Sequence, residues 1–280
     1  MSSDAVPSGT TRPDAAPAET TGPPAPAALD EAVLLTPSPA RTPEPRTEEP
    51  SRHPSPQPIR VLLRPAALSD AAALAAAYLR NREHLAPWEP PREESFYTAT
   101  HQEQRLAILL EGRAAGQAMP WLLVTDGPDT PHDRPAAPAA APTSAPGAAT
   151  STAPAADAGT APPAEGSGPR TGERVVGAVT LQGIVRGPAH SATLGYWVDA
   201  ALTRRGLARA AVTQVCRLAD TALDLHRLQA GAVTHNTASQ RVLERSGFER
   251  YGLSRQHLWA DGAWRDTVLY ERILNDRPLN

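Results

Sequence analysis

Residues 194–199 have the sequence Leu-Gly-Tyr-Trp-Val-Asp, and residues 203–208 have the sequence Thr-Arg-Arg-Gly-Leu-Ala. An apolar-periodic run then continues to Leu225, so a strand ends and a helix begins between the two segments. Gly206 permits a tight turn, and the first turn of a helix leaves several N–H groups without intrahelical partners. With two arginines beside it, this positive helix end suits a di- or triphosphate. The same pattern also fits an ordinary surface helix.

The prolines of the 280-residue chain are unevenly spread. Of 31 prolines, 14 lie in residues 1–58 and 10 lie in residues 126–172. Both stretches are rich in Ala, Pro, Ser, Thr, Gly and acids, and they have too few large apolar residues to offset the entropy of ordering. We therefore predict a disordered tail over residues 1–58 and one domain over residues 59–275, interrupted by a disordered insertion over residues 126–172. The insertion would lengthen a hairpin loop at little cost.

Charge follows the same division. The chain has a formal net charge of −3, and the tail and the insertion carry −4 and −3, which leaves +4 for the domain. This mild basic excess is compatible with an anionic ligand or a nucleic-acid-rich neighbourhood. The single Cys216 excludes an internal disulfide framework and a multi-cysteine metal site, and its helix position predicts a core residue. We expect no bound metal, and the lack of a signal sequence or a long apolar run predicts a cytoplasmic protein.

Hydrophobic periodicity, turn residues and capping residues divide the domain into elements. Strands are predicted at residues 59–65, 119–125, 173–182, 190–199, 228–233, 252–260 and 264–273. Helices are predicted at residues 71–79, 96–115, 205–225 and 236–246. A long helix between two strands forms a right-handed crossover, so strands 190–199 and 228–233 should run parallel.

This order of elements resembles the GCN5-related N-acetyltransferase (GNAT) fold. Gly206-Leu207-Ala208 resembles the family's pyrophosphate motif, although Thr203 stands where the family has glutamine or arginine. Asn236 to Ser239, followed by Gly247-Phe248, resembles the family's asparagine helix. The loop Asn81–Pro90 is similar to that of RimJ-type ribosomal-protein-alanine N-acetyltransferases. The resemblance implies an α/β (α+β) fold with a mixed central sheet of about seven strands and about four helices, whose fourth and fifth strands splay around acetyl-CoA.

The resemblance also implies that acetyl-CoA is the cosubstrate and that its acetyl group passes directly to an amine. The residues implied to bind it are Trp197, Val198, Arg204, Arg205, Gly206, Leu207, Ala208 and Asn236. A backbone N–H near Trp197 or Val198 would stabilise the developing oxyanion. Asn236 fits two roles, which are contact with the pantetheine arm and the N-cap of its helix.

Catalytic and substrate residues are implied by position within the same pattern. Ser239 stands where relatives place a hydroxyl near the cofactor sulfur, which suits protonation of the leaving thiolate; its other interpretation is a polar residue in a capped first turn. Glu83 and Glu89 are the candidate general bases, and the alternative for both is a solvated loop charge. Trp88 and Tyr196 are predicted to line the acceptor site, and either would otherwise fill the edge of the core.

Three functions are compatible with these residues. The first is acetylation of a protein N-terminal α-amine, with an alanine of a small-subunit ribosomal protein as acceptor. The second is acetylation of a small-molecule amine such as an antibiotic or toxin. The third is a non-enzymatic adaptor that binds the ribosome or RNA, which the small basic excess and the lack of an arginine-aromatic motif disfavour. The first function implies a protein or peptide partner and no membrane, and it leaves the choice between monomer and dimer open.

Overall fold

The computed structural model describes residues 27–36, 60–126 and 173–278. Within them the strands are β1 (Val33–Leu35), β2 (Val61–Pro65), β3 (Ala118–Asp126), β4 (Glu173–Val185), β5 (Ser191–Val198), β6 (Arg227–Val233), β7 (Glu249–Ala260) and β8 (Ala263–Ile273). The helices are α1 (Ala71–Arg80), α2 (Arg82–Leu85), α3 (Ala99–Ala114), α4 (Leu207–Thr221) and α5 (Thr237–Arg245). Every predicted strand and helix is present, and β1 and the single turn α2 are additions.

The described strands form one mixed sheet in the order β1-β2-β3-β4-β5-β6-β8-β7. Neighbouring strands run antiparallel except for β5 and β6, which run parallel as the crossover through α4 predicts. The pairing of β5 with β6 is limited to residues 191–193 and 227–229, so the two strands separate beyond Thr193 and Gln229. The predicted α/β fold, with its splay between the fourth and fifth predicted strands, is therefore confirmed.

Helices cover both faces of the sheet, and each face has its own cluster of buried side chains. Helix α4 packs on one face, where it meets Ala192, Leu194 and Val198 of β5. Helices α1 and α3 pack on the other face, toward which Trp197 points. Cys216 is buried in the α4 cluster, as predicted, and burial raises the pKa of its thiol to about 11. Strand alternation thus sends neighbouring residues of β5 to opposite cores.

Residues 27–36 differ from the prediction of a wholly disordered tail. A short helical turn, Ala27–Leu29, precedes β1, which pairs with β2 in antiparallel register. Leu29 is fully buried and Leu35 is nearly so. The composition argument failed here because it averaged over residues 1–58 and overlooked a local run of large apolar residues, Val33-Leu34-Leu35. The burial of Leu29 and Leu35 at the edge of the sheet helps to offset the entropy lost when this segment is ordered.

The strands that flank the insertion are neighbours in the sheet. Asp126 is the register partner of Glu173, so β3 and β4 form the predicted hairpin. Residues 127–172, 1–26 and 37–58 lie outside the described residues, and the disorder expected of them stays a prediction. Among the described residues, no helix combines the length and the apolarity that crossing a membrane requires.

Replacing Leu29 by alanine should destabilise the domain. The side chain is fully buried in the α4 cluster, so truncation removes apolar contacts and leaves a cavity, at a cost of about 2 kcal/mol. For a domain of this size we expect the melting temperature to fall by roughly 4–8 °C. Leu34→Ala is the matched control, because Leu34 belongs to the same segment and is 46% exposed. Equal melting temperatures for the two variants would show that residues 27–36 do not pack on the domain.

Candidate active site

Within the described part of the chain, the separation of β5 from β6 leaves backbone groups of β5 without strand partners. The Asp199 N–H donates to the Val176 carbonyl at 2.8 Å, which fixes the alternation of the β4–β5 ladder. In an antiparallel ladder, every second residue directs both of its peptide groups to the same neighbour. Trp197 therefore directs its N–H and C=O to β4, whereas Tyr196 and Val198 direct theirs into the gap. Of the two candidates for oxyanion stabilisation, Val198 is the one whose N–H faces the gap.

Trp197 serves the packing of the first helix against β5. Its indole N–H donates to the Tyr78 hydroxyl at 3.1 Å, and the two ring centroids are 4.9 Å apart. The Phe96 ring packs edge-on against Tyr78 in the same cluster. The Trp197 side chain is thus a buried core residue beneath the site, and it holds α1 in place behind the gap.

The turn that follows β5 starts α4 at the open end of the gap. Arg204 and Gly206 adopt the left-handed conformation, with φ angles of 61° and 76°. Gly206 is the N-cap residue of α4, and the first helical bond runs from the Ala210 N–H to the Gly206 carbonyl at 3.0 Å. The N–H groups of residues 207–209 therefore have no intrahelical partner.

The start of α5 is bonded across the gap to β5. Asn236 Oδ1 accepts a hydrogen bond from the Ser239 N–H at 3.0 Å, so Asn236 is the N-cap of α5. The Tyr196 hydroxyl lies 2.9 Å from Ser239 Oγ and donates to the Ser239 carbonyl oxygen at 3.2 Å. Burial raises the pKa of Tyr196 to about 12. The structure therefore brings Tyr196, Asn236 and Ser239 together, although the sequence pattern gave them separate roles.

A pocket of about 540 Å³ lies between the loop that follows α1 and the turn of the β7–β8 hairpin. Glu83 and Glu89 line it from the loop, and Asp261 and Gly262 line it from the hairpin. Both candidate bases therefore border the same space. Arg82 and Arg92 line the pocket as well, so its three carboxylates and two guanidinium groups give the lining a formal charge of −1. This small negative excess favours a positively charged ligand such as a protonated amine.

Trp88 joins the same loop to the end of β6. Its ring packs against the His235 ring, with 5.2 Å between the centroids. His235 immediately precedes the cap residue Asn236. The half-buried Trp88 therefore fixes the distance between the loop and the start of α5, and its predicted contact with the acceptor stays a prediction.

Asp199 is the centre of a buried polar cluster that the sequence pattern did not reveal. Its carboxylate accepts hydrogen bonds from Asn81 Nδ2 at 3.1 Å and from Arg80 Nε at 2.9 Å. Asn81 Oδ1 in turn accepts from the Ala200 N–H at 2.9 Å. Burial favours the protonated acid, but bonds from Asn81, the Ala201 N–H and Arg80 outweigh it and lower the pKa of Asp199. The cluster ties the pocket loop to the turn that starts α4.

Comparison with known families agrees with this arrangement of splayed strands, helix start and capped helix. Residues 60–249 match the model of the Acetyltransferase (GNAT) domain. The chain belongs to the GNAT acetyltransferase family. The predicted enzyme class and the predicted fold family are thereby confirmed.

Individual relatives of this GNAT acetyltransferase are similar at modest identity. Probable N-acetyltransferase YjcK of Bacillus subtilis (strain 168) is 41% identical over 76 residues, which span 27% of this chain and 42% of that protein. The ribosomal protein uS5-alanine N-acetyltransferase of Escherichia coli (strain K12) is 28% identical over 180 residues, which span 64% of this chain and 70% of that enzyme. The structure of Mycobacterium smegmatis RimJ in complex with CoA-disulfide matches with a TM-score of 0.57 and 27% identity, over 76% of this chain and 82% of that one.

The turn into α4 fits the pyrophosphate of the cosubstrate. Unpaired N–H groups at a helix start bind anions, and the exposed side chains of Arg204 and Arg205 add positive charge beside them. Leu207 is buried in the core and anchors the turn, while Ala208 is half-buried and small. The family and its CoA-bound member confirm the prediction of acetyl-CoA as cosubstrate at the level of the family.

Proposed function

We propose that this GNAT acetyltransferase acetylates the N-terminal α-amine of a protein, with an alanine of a small-subunit ribosomal protein as acceptor. The E. coli relative named for uS5-alanine and the similarity to RimJ support the choice of acceptor. The observation that carries the proposal is the pocket between the loop that follows α1 and the β7–β8 turn, which is lined by three carboxylates and two guanidinium groups. Such a space receives a charged chain terminus while the rest of the polypeptide continues outward.

Backbone and hydroxyl groups at the gap suit acyl transfer. When bound, acetyl-CoA supplies an activated thioester. The Val198 N–H faces the gap and is available to stabilise negative charge on an acyl oxygen. Ser239 holds a proton on Oγ at the start of α5, where it is available to a leaving thiolate. The N–H groups of residues 207–209 hold the phosphates.

The acceptor amine must lose a proton before it attacks. An N-terminal α-amine has a pKa near 8, so a useful fraction is neutral at about pH 7. Glu83 and Glu89 border the pocket and accept the remaining proton, directly or through a water molecule. Glu89 is half-buried and forms an ion pair with Arg92 at 3.4 Å, whereas Glu83 is exposed. The two carboxylates therefore need separate tests.

Glu83→Gln and Glu89→Gln are expected to lower kcat/KM at neutral pH. Removal of a general base costs about 100-fold or more, so the variant with the larger loss identifies the proton acceptor. Initial rates with an alanine peptide between pH 6 and pH 9 are the measurement, and a real base gives a loss that shrinks as pH rises. Glu93→Gln is the control, because Glu93 is an exposed carboxylate of the same loop. If all three variants behave alike, neither carboxylate is the base.

The acceptor class is tested by free thiol release from acetyl-CoA. We expect selective turnover of peptides that begin with alanine over peptides that begin with serine or glycine, and no turnover of aminoglycosides or free amino acids. The alanine peptide with a blocked N-terminus is the control, since it keeps every side chain and lacks only the α-amine. Turnover of small amines alone would replace the proposal by a small-molecule acetyltransferase. Binding of CoA without any turnover would support the adaptor.

A further inference from the structure

Tyr196 connects β5 to the start of α5 across the gap between β5 and β6. It belongs to the part of β5 that has lost its pairing with β6, and its hydroxyl reaches Ser239 at the start of α5, the helix that follows β6. The side chain therefore restores across the gap a connection that the backbones no longer make.

The direction of the Tyr196–Ser239 hydrogen bond decides whether the Ser239 hydroxyl hydrogen is free. Its N–H donates to Asn236 Oδ1 at 3.0 Å, which fixes the first turn of α5. Among the described residues, Tyr196 is the hydrogen-bond partner of its hydroxyl, at 2.9 Å. The Tyr196 hydroxyl also lies 3.2 Å from the Ser239 carbonyl oxygen, and burial keeps the phenol protonated with a pKa of about 12. The phenol has one hydrogen, and Ser239 Oγ, at 2.9 Å, is the nearer of its two acceptors. When the phenol donates to Oγ, the serine keeps its own O–H free.

We propose that Tyr196 is a positioning residue for Ser239: its hydroxyl holds Ser239 Oγ at the edge of the gap and leaves the serine proton directed toward a leaving thiolate. The assignment rests on the proposed acetyl transfer but not on the identity of the acceptor. As the C–N bond forms and the C–S bond breaks, the Ser239 proton passes to the sulfur, and the general base takes the amine proton. Ser239 is reprotonated from water, and Tyr196 keeps its proton throughout.

A double-mutant cycle of Tyr196→Phe and Ser239→Ala tests this assignment. Tyr196→Phe keeps the ring that packs in the core and removes only the hydroxyl. We expect kcat to fall by about 10- to 100-fold, while KM for acetyl-CoA stays within about two-fold. In the Ser239→Ala background the same change should have little further effect, because the residue that it positions is already gone. Equal losses in both backgrounds, an unchanged kcat, or a loss confined to KM would overturn the assignment.

Tyr270→Phe is the matched control. Tyr270 is buried, whereas Tyr196 is partly exposed, and the Tyr270 hydroxyl donates to Glu244 of the same helix α5 at 3.2 Å. The variant therefore removes a tyrosine hydroxyl that is bonded to α5 at Glu244, a residue to which we assign no role in the reaction. It should leave kcat near the wild-type value. A loss of kcat as large as that of Tyr196→Phe would mean that any loosening of α5 impairs the enzyme, and it would overturn a specific role for Tyr196.

A second readout requires neither ligand nor acceptor. The melting temperatures of the wild type, both single variants and the double variant report whether the two hydroxyls interact in the free protein. We expect Tyr196→Phe to lower the melting temperature by about 2–4 °C and the two changes to be less than additive. Additive decreases in melting temperature would show that the two hydroxyls do not interact, even if no amine is acetylated. If an amine other than an alanine terminus is the acceptor, the double-mutant cycle is measured with that amine. That result would contradict the proposed acceptor and leave the role of Tyr196 open to the same test.

Discussion

Replacing Gly206 by valine should abolish measurable acetyl transfer and weaken CoA binding by about 100-fold or more. Gly206 caps α4 with a φ of 76°, a conformation that a β-branched residue adopts only at a cost of about 1–3 kcal/mol. The turn would relax to avoid this strain, and the N–H groups of residues 207–209 would lose the arrangement that suits a pyrophosphate. Calorimetric titration with CoA measures the loss directly, independently of the acceptor.

Gly116→Val is the matched control for Gly206→Val. Gly116 also has a positive φ of 68°, and a Cβ there would meet nothing within 4 Å. It lies in the turn between α3 and β3, so it imposes the same kind of backbone strain away from α4. Both variants should lower the melting temperature, and only Gly206→Val should lose CoA. Unchanged CoA binding in Gly206→Val would show that the phosphates are held elsewhere.

Features that depend on local sequence were predictable. A helix start beside Gly206 follows from a glycine at the beginning of a helical apolar period. The prediction placed this start at Arg205, and α4 begins two residues later, at Leu207. The parallel direction of β5 and β6 follows from the handedness of a crossover, which depends on element order alone. The hairpin across the insertion was predictable because the intervening sequence could not form a core of its own.

Features that depend on contacts between distant residues were not predictable from one sequence. Asn81 and Asp199 are 118 residues apart, and nothing in their spacing indicates that an amide and a carboxylate meet. Tyr196 and Ser239 were both named as candidates, but their bond depends on how far β5 and β6 separate. The choice of Val198 over Trp197 required the ladder register, since a shift of one residue would exchange the two.

Replacing Asp199 by alanine should destabilise the protein and impair the site together. The carboxylate is buried, and its loss removes the acceptor that Asn81, Arg80 and Arg174 share. Asn81 retains two other bonds, from its Nδ2 to the Ala77 carbonyl and from the Ala200 N–H to its Oδ1. Arg80 retains its bond to the Val175 carbonyl. We therefore expect a loss of about 2–3 kcal/mol, below the full cost of an unpaired buried charge, and a fall in melting temperature of roughly 4–12 °C. Since the same cluster fixes the pocket loop, kcat/KM should fall as well.

The melting-temperature difference between the wild type and Asp199→Ala should depend on pH, because the charge of the Asp199 carboxylate is its cause. Folding lowers the pKa of Asp199, so its stabilising contribution is complete above the unfolded value near 4 and is lost as pH falls through the folded value. The melting temperatures of the wild type and Asp199→Ala should therefore differ fully at neutral pH and converge below about pH 4. Glu94→Gln is the control at an exposed ion pair, because Glu94 pairs with Arg82 at the surface. Surface ion pairs contribute little to stability, so this variant should have the melting temperature of the wild type at neutral pH. A melting-temperature difference between the wild type and Asp199→Ala that persists unchanged in acid would mean that Asp199 acts through packing. A protonated carboxyl fills the same space but lacks the charge that Arg80 and Asn81 stabilise.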